Sequence, residues 1–146
     1  MFSFAIDYYL FVFGAGLGVI QVAVSLGSLK GLLVVKSPIA ARVGGLVLTI
    51  AAFVWFFATD TRNINDFEGG LDAPSQALFF FLGALSALLA TLIISSLVNA
   101  DLNGDESEPG AGLDALKTSN YSRALARSLR YWWREWRTQT KPYFFG

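Results

Sequence analysis

Residues 73–100, APSQALFFFLGALSALLATLIISSLVNA, carry no formal charge, and this run constrains the chain more than any other feature. At a rise of about 1.5 Å per residue, a helix of that length exceeds the hydrocarbon thickness of a bilayer, about 30 Å. Asp72 stands before the run as an N-cap residue, and Pro74 falls in the first turn, where its missing N–H costs nothing. Residues 8–29, YYLFVFGAGLGVIQVAVSLGSL, form a second charge-free run of spanning length. The leader before it has no Lys or Arg and carries Asp7, so it does not resemble a cleaved signal peptide, and the span is expected to be retained.

The remaining candidate is residues 43–59, VGGLVLTIAAFVWFFAT, which PIAAR extends back to Pro38. Pro38 suits the first helical turn, Arg42 is expected to snorkel to one interface, and Trp55, Phe56 and Phe57 fit the aromatic belt at the other. Packing three such helices into a soluble core would leave too little polar surface to cover them, in a chain that is 54% apolar and only 15% charged with a mean hydropathy of +0.51. The expected fold is therefore an all-α integral membrane protein. It has three transmembrane helices, at about 8–29, 38–59 and 73–100, and a C-terminal amphipathic interfacial helix.

Loop charges predict the orientation. Lys30, Lys36 and Arg42 lie between the first two spans with no acidic residue among them, whereas Asp60, Asp66, Glu68 and Asp72 oppose a single Arg62 between the second and third. The positive-inside rule then puts the first loop in the cytoplasm and the N-terminus outside. The C-terminus is cytoplasmic, and the tail agrees, since Lys117, Lys141 and five arginines lie there.

After the third span, residues 101–118 are acidic and rich in Gly and Ser, and they read as a flexible linker. Asp101, Asn103 and Asp105 imitate the start of a calcium loop, but position six is Glu106 instead of Gly and position twelve is Gly112 instead of Glu. Residues 119–138 then carry two interlocked periods. Arg123, Arg127, Arg130, Arg134 and Arg137 fall within one arc of roughly 80°, and Tyr121, Leu125, Leu129, Trp132 and Trp136 within an equal arc on the opposite side. Such a helix suits the cytoplasmic headgroup layer, its arginines meeting anionic lipid headgroups or acidic partner groups. Its Leu and Trp face fits lipid or a partner's surface equally well. The acidic linker and the Trp-rich face argue against nucleic acid as a partner. The Asn120–Tyr121–Ser122 sequon reads as chance on a cytoplasmic segment. Residues 139–146 end in Tyr143, Phe144 and Phe145, an aromatic tail suited to anchoring in lipid or a partner groove.

Chemistry is harder to find. The chain has no Cys and no His, and its one Met is the first residue, which removes disulfides, thiolates and the usual zinc and haem ligands. Between the expected membrane boundaries, with Arg42 reaching back to the interface, the polar groups are uncharged, among them Gln21, Ser25, Thr49, Gln76, Ser86, Thr91, Ser95 and Ser96. Proton relays and ion-coupled transport normally need an ionisable group there. The outer-loop carboxylates match no catalytic constellation. Neither enzymatic activity nor a cofactor or metal is expected.

Small residues supply packing seams instead. Gly14 with Gly18, Gly45 with Thr49, and Gly83 with Ala87 allow close helix approach in each span. The GAGLG run around Gly14 lacks the Lys and Ser or Thr of a phosphate-binding loop. These features together favour a non-catalytic accessory or anchor subunit whose partners are the larger subunits of a membrane complex. The alternatives are a small homo-oligomeric channel, for which the polar stripe is short, and a membrane-surface sensing or shaping protein working through the C-terminal helix.

Overall fold

The computed structural model describes residues 4–58, 71–102 and 112–139. Among these it is all-helical: α1 Phe4–Leu26, α2 Pro38–Ala58, α3 Ala73–Val98 and α4 Tyr121–Gln139, with short 3-10 helices at Lys30–Leu32 and Gly112–Lys117. The first three helices are each long and apolar enough to cross a membrane.

The boundaries follow local chemistry. α1 starts earlier than residue 8 and takes in Asp7, whose carboxylate in the first turn complements the positive end of the helix dipole. Asp7 is buried, at 3% exposure. The expectation that the spans hold no ionisable group is therefore corrected: placing the boundary at Tyr8 had left Asp7 outside. α1 ends in a Schellman turn, in which the Leu29 N–H donates to the Val24 carbonyl (3.1 Å) and Ser28 adopts φ 56°. Leu29 packs on the cluster containing Val24, the apolar contact that accompanies this motif.

α2 begins where Ser37 Oγ accepts the Ala40 N–H (3.3 Å), with Pro38 in the first helical position. Asp72 takes the N-cap position of α3 in extended conformation without a side-chain cap bond, and the Gln76 N–H donates to its carbonyl (2.9 Å). α3 ends at Val98 rather than residue 100, because the Asn99 backbone turns out of the helix while its N–H still reaches the Ser95 carbonyl.

α1 lies between α2, which is antiparallel to it, and α3, which is parallel. The positions of α1 that meet α2 (Phe11, Gly14, Gly18 and Gln21) and those that meet α3 (Tyr9, Val12 and Gly16) are centred about 170° apart on its helical wheel. The three helices therefore form a layer in which α1 is covered on two opposite sides. α2 and α3 keep outward apolar faces, with Val43, Val47 and Val54 exposed on one and Phe81, Ile93 and Leu97 on the other.

Small residues set these approaches. A methyl at Gly18 would overlap the Gly45 carbonyl oxygen and Thr49 Oγ1, and one at Gly45 would lie 2.6 Å from the Gly18 carbonyl. On the other side of α1, a methyl at Gly83 would sit 3.0 Å from the Tyr9 carbonyl, and one at Gly16 would sit 3.1 Å from Ala87 Cβ. The buried line of α3 runs Gly83, Ala87, Thr91, Ser95 at intervals of one helical turn and ends on Asn99. Thr49 and Thr91 donate to carbonyls one turn back, at 2.9 Å each, so the hydroxyls in these contacts are satisfied within their own helices.

At one end of the layer, Phe4, Tyr8 and Phe11 of α1 pack against Phe53, Phe56 and Phe57 of α2. Phe56 belongs to the aromatic group at this end of α2. It is buried, its ring 4.6 Å from that of Phe11, because its helical position points toward α1. Trp55 and Phe57 remain about half exposed.

Candidate functional site

The opposite end carries Lys30, Lys36 and Arg42, and it is the most elaborately built part of the molecule. Its centre is the α1–α2 connection, where Leu33 is almost fully buried against Val24 and Ala41. Two amide side chains from different helices fasten this segment. Gln21 of α1 accepts the Val34 N–H at Oε1 (2.9 Å) and donates Nε2 to the Leu32 carbonyl (3.5 Å). From α3, Asn99 Nδ2 donates to the Leu33 carbonyl (2.7 Å) and to the Ser95 carbonyl (2.9 Å). Backbone groups of an irregular segment are thereby paired by side chains, as burial requires.

Arg42 reaches across to α1. It lies in the second turn of α2 with its side chain directed along α1, and its Nε donates to Ser25 Oγ (3.3 Å), which donates in turn to the Val22 carbonyl (2.8 Å). Lys36 bridges to Asp101 beyond α3 (3.0 Å) across an exposed surface. The hydrogen bond from the Lys36 ammonium, with its charge, holds the Asp101 carboxyl below the usual range.

A further layer comes from the segment before α4. Of the residues expected to form a linker, 103–111 lie outside the described residues, while Gly112–Lys117 forms a 3-10 helix that rests on the α1–α2 connection. Gly31 makes the approach possible. A side chain there would overlap the Ser119 carbonyl and lie 3.0 Å from the Leu116 carbonyl. Leu116, Ser119 and Asn120 are buried, and Ser119 Oγ donates to the Ala115 carbonyl (2.7 Å). Asn120, noted in the sequence only as part of a sequon, is the N-cap of α4: its Oδ1 accepts the Arg123 N–H (2.9 Å) and the Ser122 hydroxyl (3.1 Å). Arg123 also donates Nη1 to the Leu102 carbonyl just past α3 (3.1 Å).

From this base α4 extends outward. Leu125, Leu129, Trp132 and Trp136 occupy one face and are exposed, Leu129 at 61% and Trp132 at 71%. Arg127, Arg130, Arg134 and Arg137 continue the opposite row begun by Arg123. The flanks between the two faces are tied within the helix. The Arg137 guanidinium lies 3.7 Å above the Trp133 ring, and a hydrogen bond between Tyr131 and Glu135 pushes the Tyr131 phenol up.

The sequence-derived residues thus fall into two groups that do not meet. Gly14, Gly18, Gly45, Thr49, Gly83 and Ala87 line the contacts of α1 with its two neighbours. The Arg and Leu–Trp rows sit on α4. Between them lies the clamp of Gln21, Gly31, Asn99, Leu116, Ser119 and Asn120, which pattern reasoning passed over. A buried-position Gln near one helix end and an Asn closing another were the available signals. The outer-loop residues Asp60, Arg62, Asp66 and Glu68, and the tail residues Lys141, Tyr143, Phe144 and Phe145, lie outside the described residues. Compared with known protein families, with curated proteins and with solved structures, the chain matches none.

Proposed function

We propose that this chain is a non-catalytic anchor subunit of a larger membrane complex. Its three apolar helices span the bilayer with the N-terminus outside, and the Lys30–Lys36 end, the clamp and α4 face the cytoplasm. Loop charge supports this orientation, because Lys30, Lys36, Arg42 and the α4 arginines all gather at one end.

The observation that carries the proposal is the way α4 is mounted. A buried clamp of side chains from α1, α3 and residues 116–120 fixes the start of a strongly two-faced helix, and that helix then leaves the bundle with both faces exposed. A chain that invests buried polar bonds in the base of a projecting helix uses that helix to meet something beyond itself. The outward faces of α2 and α3 provide apolar area for neighbouring spans, since α1 already takes up the tightest small-residue seams. The channel alternative gains nothing from the same contacts. Gln21, Ser25, Thr91 and Ser95 lie buried between helices and bond to backbone carbonyls or amides, where they line no open face.

Native mass spectrometry of the protein extracted from its own membrane in mild detergent tests the proposal. The expected result is a fixed set of larger subunits travelling with it at constant stoichiometry. A homo-oligomer without other chains overturns the accessory reading.

A further inference from the structure

We propose that the Leu125–Leu129–Trp132–Trp136 face of α4 is seated in the anionic lipid leaflet at the basic end of the same membrane that α1–α3 cross. This rests on the membrane-anchor reading and adds to it the occupant of the exposed face.

Placement comes first. Arg123 holds the Leu102 carbonyl, only a few residues past the end of α3, and residues 116–119 rest on Gly31 in the α1–α2 connection. The first turn of α4 is therefore fixed at the level where the spanning helices end, which is the level of the headgroups. An apolar face mounted there meets the leaflet as an intramolecular partner, at an effective concentration no separate protein matches.

The shape of the face points the same way. Tyr121, Leu125, Leu129, Trp132 and Trp136, with Trp133 at their edge, cover an arc of about 120° opposite the centre of the arginine row. A face that carries Trp132, Trp133 and Trp136 at its far end suits the shallow boundary between headgroups and acyl chains, where indole rings bury their apolar body and keep the N–H wet. Charge complements the site. Lys30 of the connection and the arginine row of α4 bring positive charge to this one end, attracting an anionic leaflet. At about 1.5 Å per residue, the 19-residue α4 lies along about 28 Å of surface.

The experiment uses the full chain with Trp55→Phe, so that every remaining tryptophan, at 132, 133 and 136, lies on α4. The protein is reconstituted into vesicles of phosphatidylcholine with phosphatidylglycerol, or of phosphatidylcholine alone, each carrying acyl-brominated lipid. The expected result is strong bromolipid quenching with a blue-shifted emission in the anionic vesicles, weakened in phosphatidylcholine alone. Leu129→Asp, a change at an exposed position that leaves the bundle intact, should abolish the quenching. Flotation of that variant with the vesicles reports the spans separately from α4. A water-like emission in anionic vesicles overturns the proposal, as does quenching unmoved by Leu129→Asp. Equal quenching in the two lipid compositions overturns the anionic requirement. Shielding of the tryptophans only in the assembly purified with larger subunits assigns the face to a protein, and leaves the accessory reading standing.

Discussion

Placing the same methyl group on three glycines of the bundle should give opposite results, and the structure supplies the sign of each. At Gly44 of α2 nothing lies within 4 Å of the new carbon, and at Gly14 its nearest neighbour is Ala52 Cβ at 3.6 Å, an ordinary contact. Gly→Ala at either position keeps only the helix-propensity gain, about 0.5–1 kcal/mol. At Gly18 the methyl overlaps the Gly45 carbonyl oxygen and Thr49 Oγ1 and lies 2.9 Å from the Thr49 amide nitrogen. Two of these are backbone atoms of α2, so no rotamer change relieves the overlap and the helices must separate along the seam. Overpacking of this kind costs about 1–3 kcal/mol, and the involvement of backbone puts Gly18→Ala at the upper end. Subtracting the propensity gain leaves a net loss of about 2 kcal/mol, and a gap between Gly18→Ala and Gly44→Ala of about 3 kcal/mol, more than a hundredfold in the unfolding constant. Unfolding in mixed micelles with increasing SDS, followed by far-UV circular dichroism, measures the difference. A Gly18→Ala variant as stable as Gly44→Ala would refute the packing argument.

The clamp and the caps make further predictions. Asn99→Leu leaves the Leu33 carbonyl without its buried donor and should cost about 1–3 kcal/mol, with amide exchange accelerating first in residues 32–34. Ser28→Gly relieves a left-handed residue at the end of α1 and should raise stability by up to about 1 kcal/mol in the same micelle assay, whereas Ser28→Val should lower it. Asn120→Ala removes the cap of α4 and should cost that helix about 1 kcal/mol, read as faster exchange over residues 121–125 with α1–α3 unchanged. Asp101 is the pH-dependent contact. Its carboxyl is held below the usual range by the Lys36 hydrogen bond, so the tie to Lys36 is fully present above the unfolded-state pKa and is lost as pH falls through the lower folded-state value. An NMR titration of the Asp101 carboxyl should show this low midpoint, and Lys36→Met should return it to the ordinary range.

What could be read from the sequence was whatever a local period encodes. Charge-free runs marked the three long helices to within a few residues, and the two rows of α4 follow from counting around a helical wheel. Gly18, Gly45 and Thr49 stand out because small residues at four-residue spacing are the means by which two helix backbones approach. The opposed faces of α1 were not legible. Which of its positions meet α2 and which meet α3 depends on how the three helices are arranged, and an apolar residue looks the same in either contact. The clamp was hidden for the same reason. Asn99 bonds to Leu33 across 66 positions of sequence, and Gly31 reads as an ordinary loop glycine until Ser119 is laid against it. Asp7 shows how a boundary rule fails: a charge was taken to end the span, whereas a helix N-terminus favours a carboxylate and the protein buries it. The inward packing of Phe56 onto Phe11 was likewise hidden, because an aromatic at a span end reads the same whichever way it faces.

The absence of cysteine allows a clean test of the claim beneath all of this, that α1–α3 cross a membrane with the clamp and α4 on the cytoplasmic side. Single cysteines are introduced at the exposed positions Ala73, Ser37 and Ser128 and labelled in intact cells with a membrane-impermeant maleimide. Labelling is expected at 73 in intact cells, and at 37 and 128 only after the membrane is permeabilised. Labelling of 37 or 128 in intact cells, or protection of 73, would contradict it.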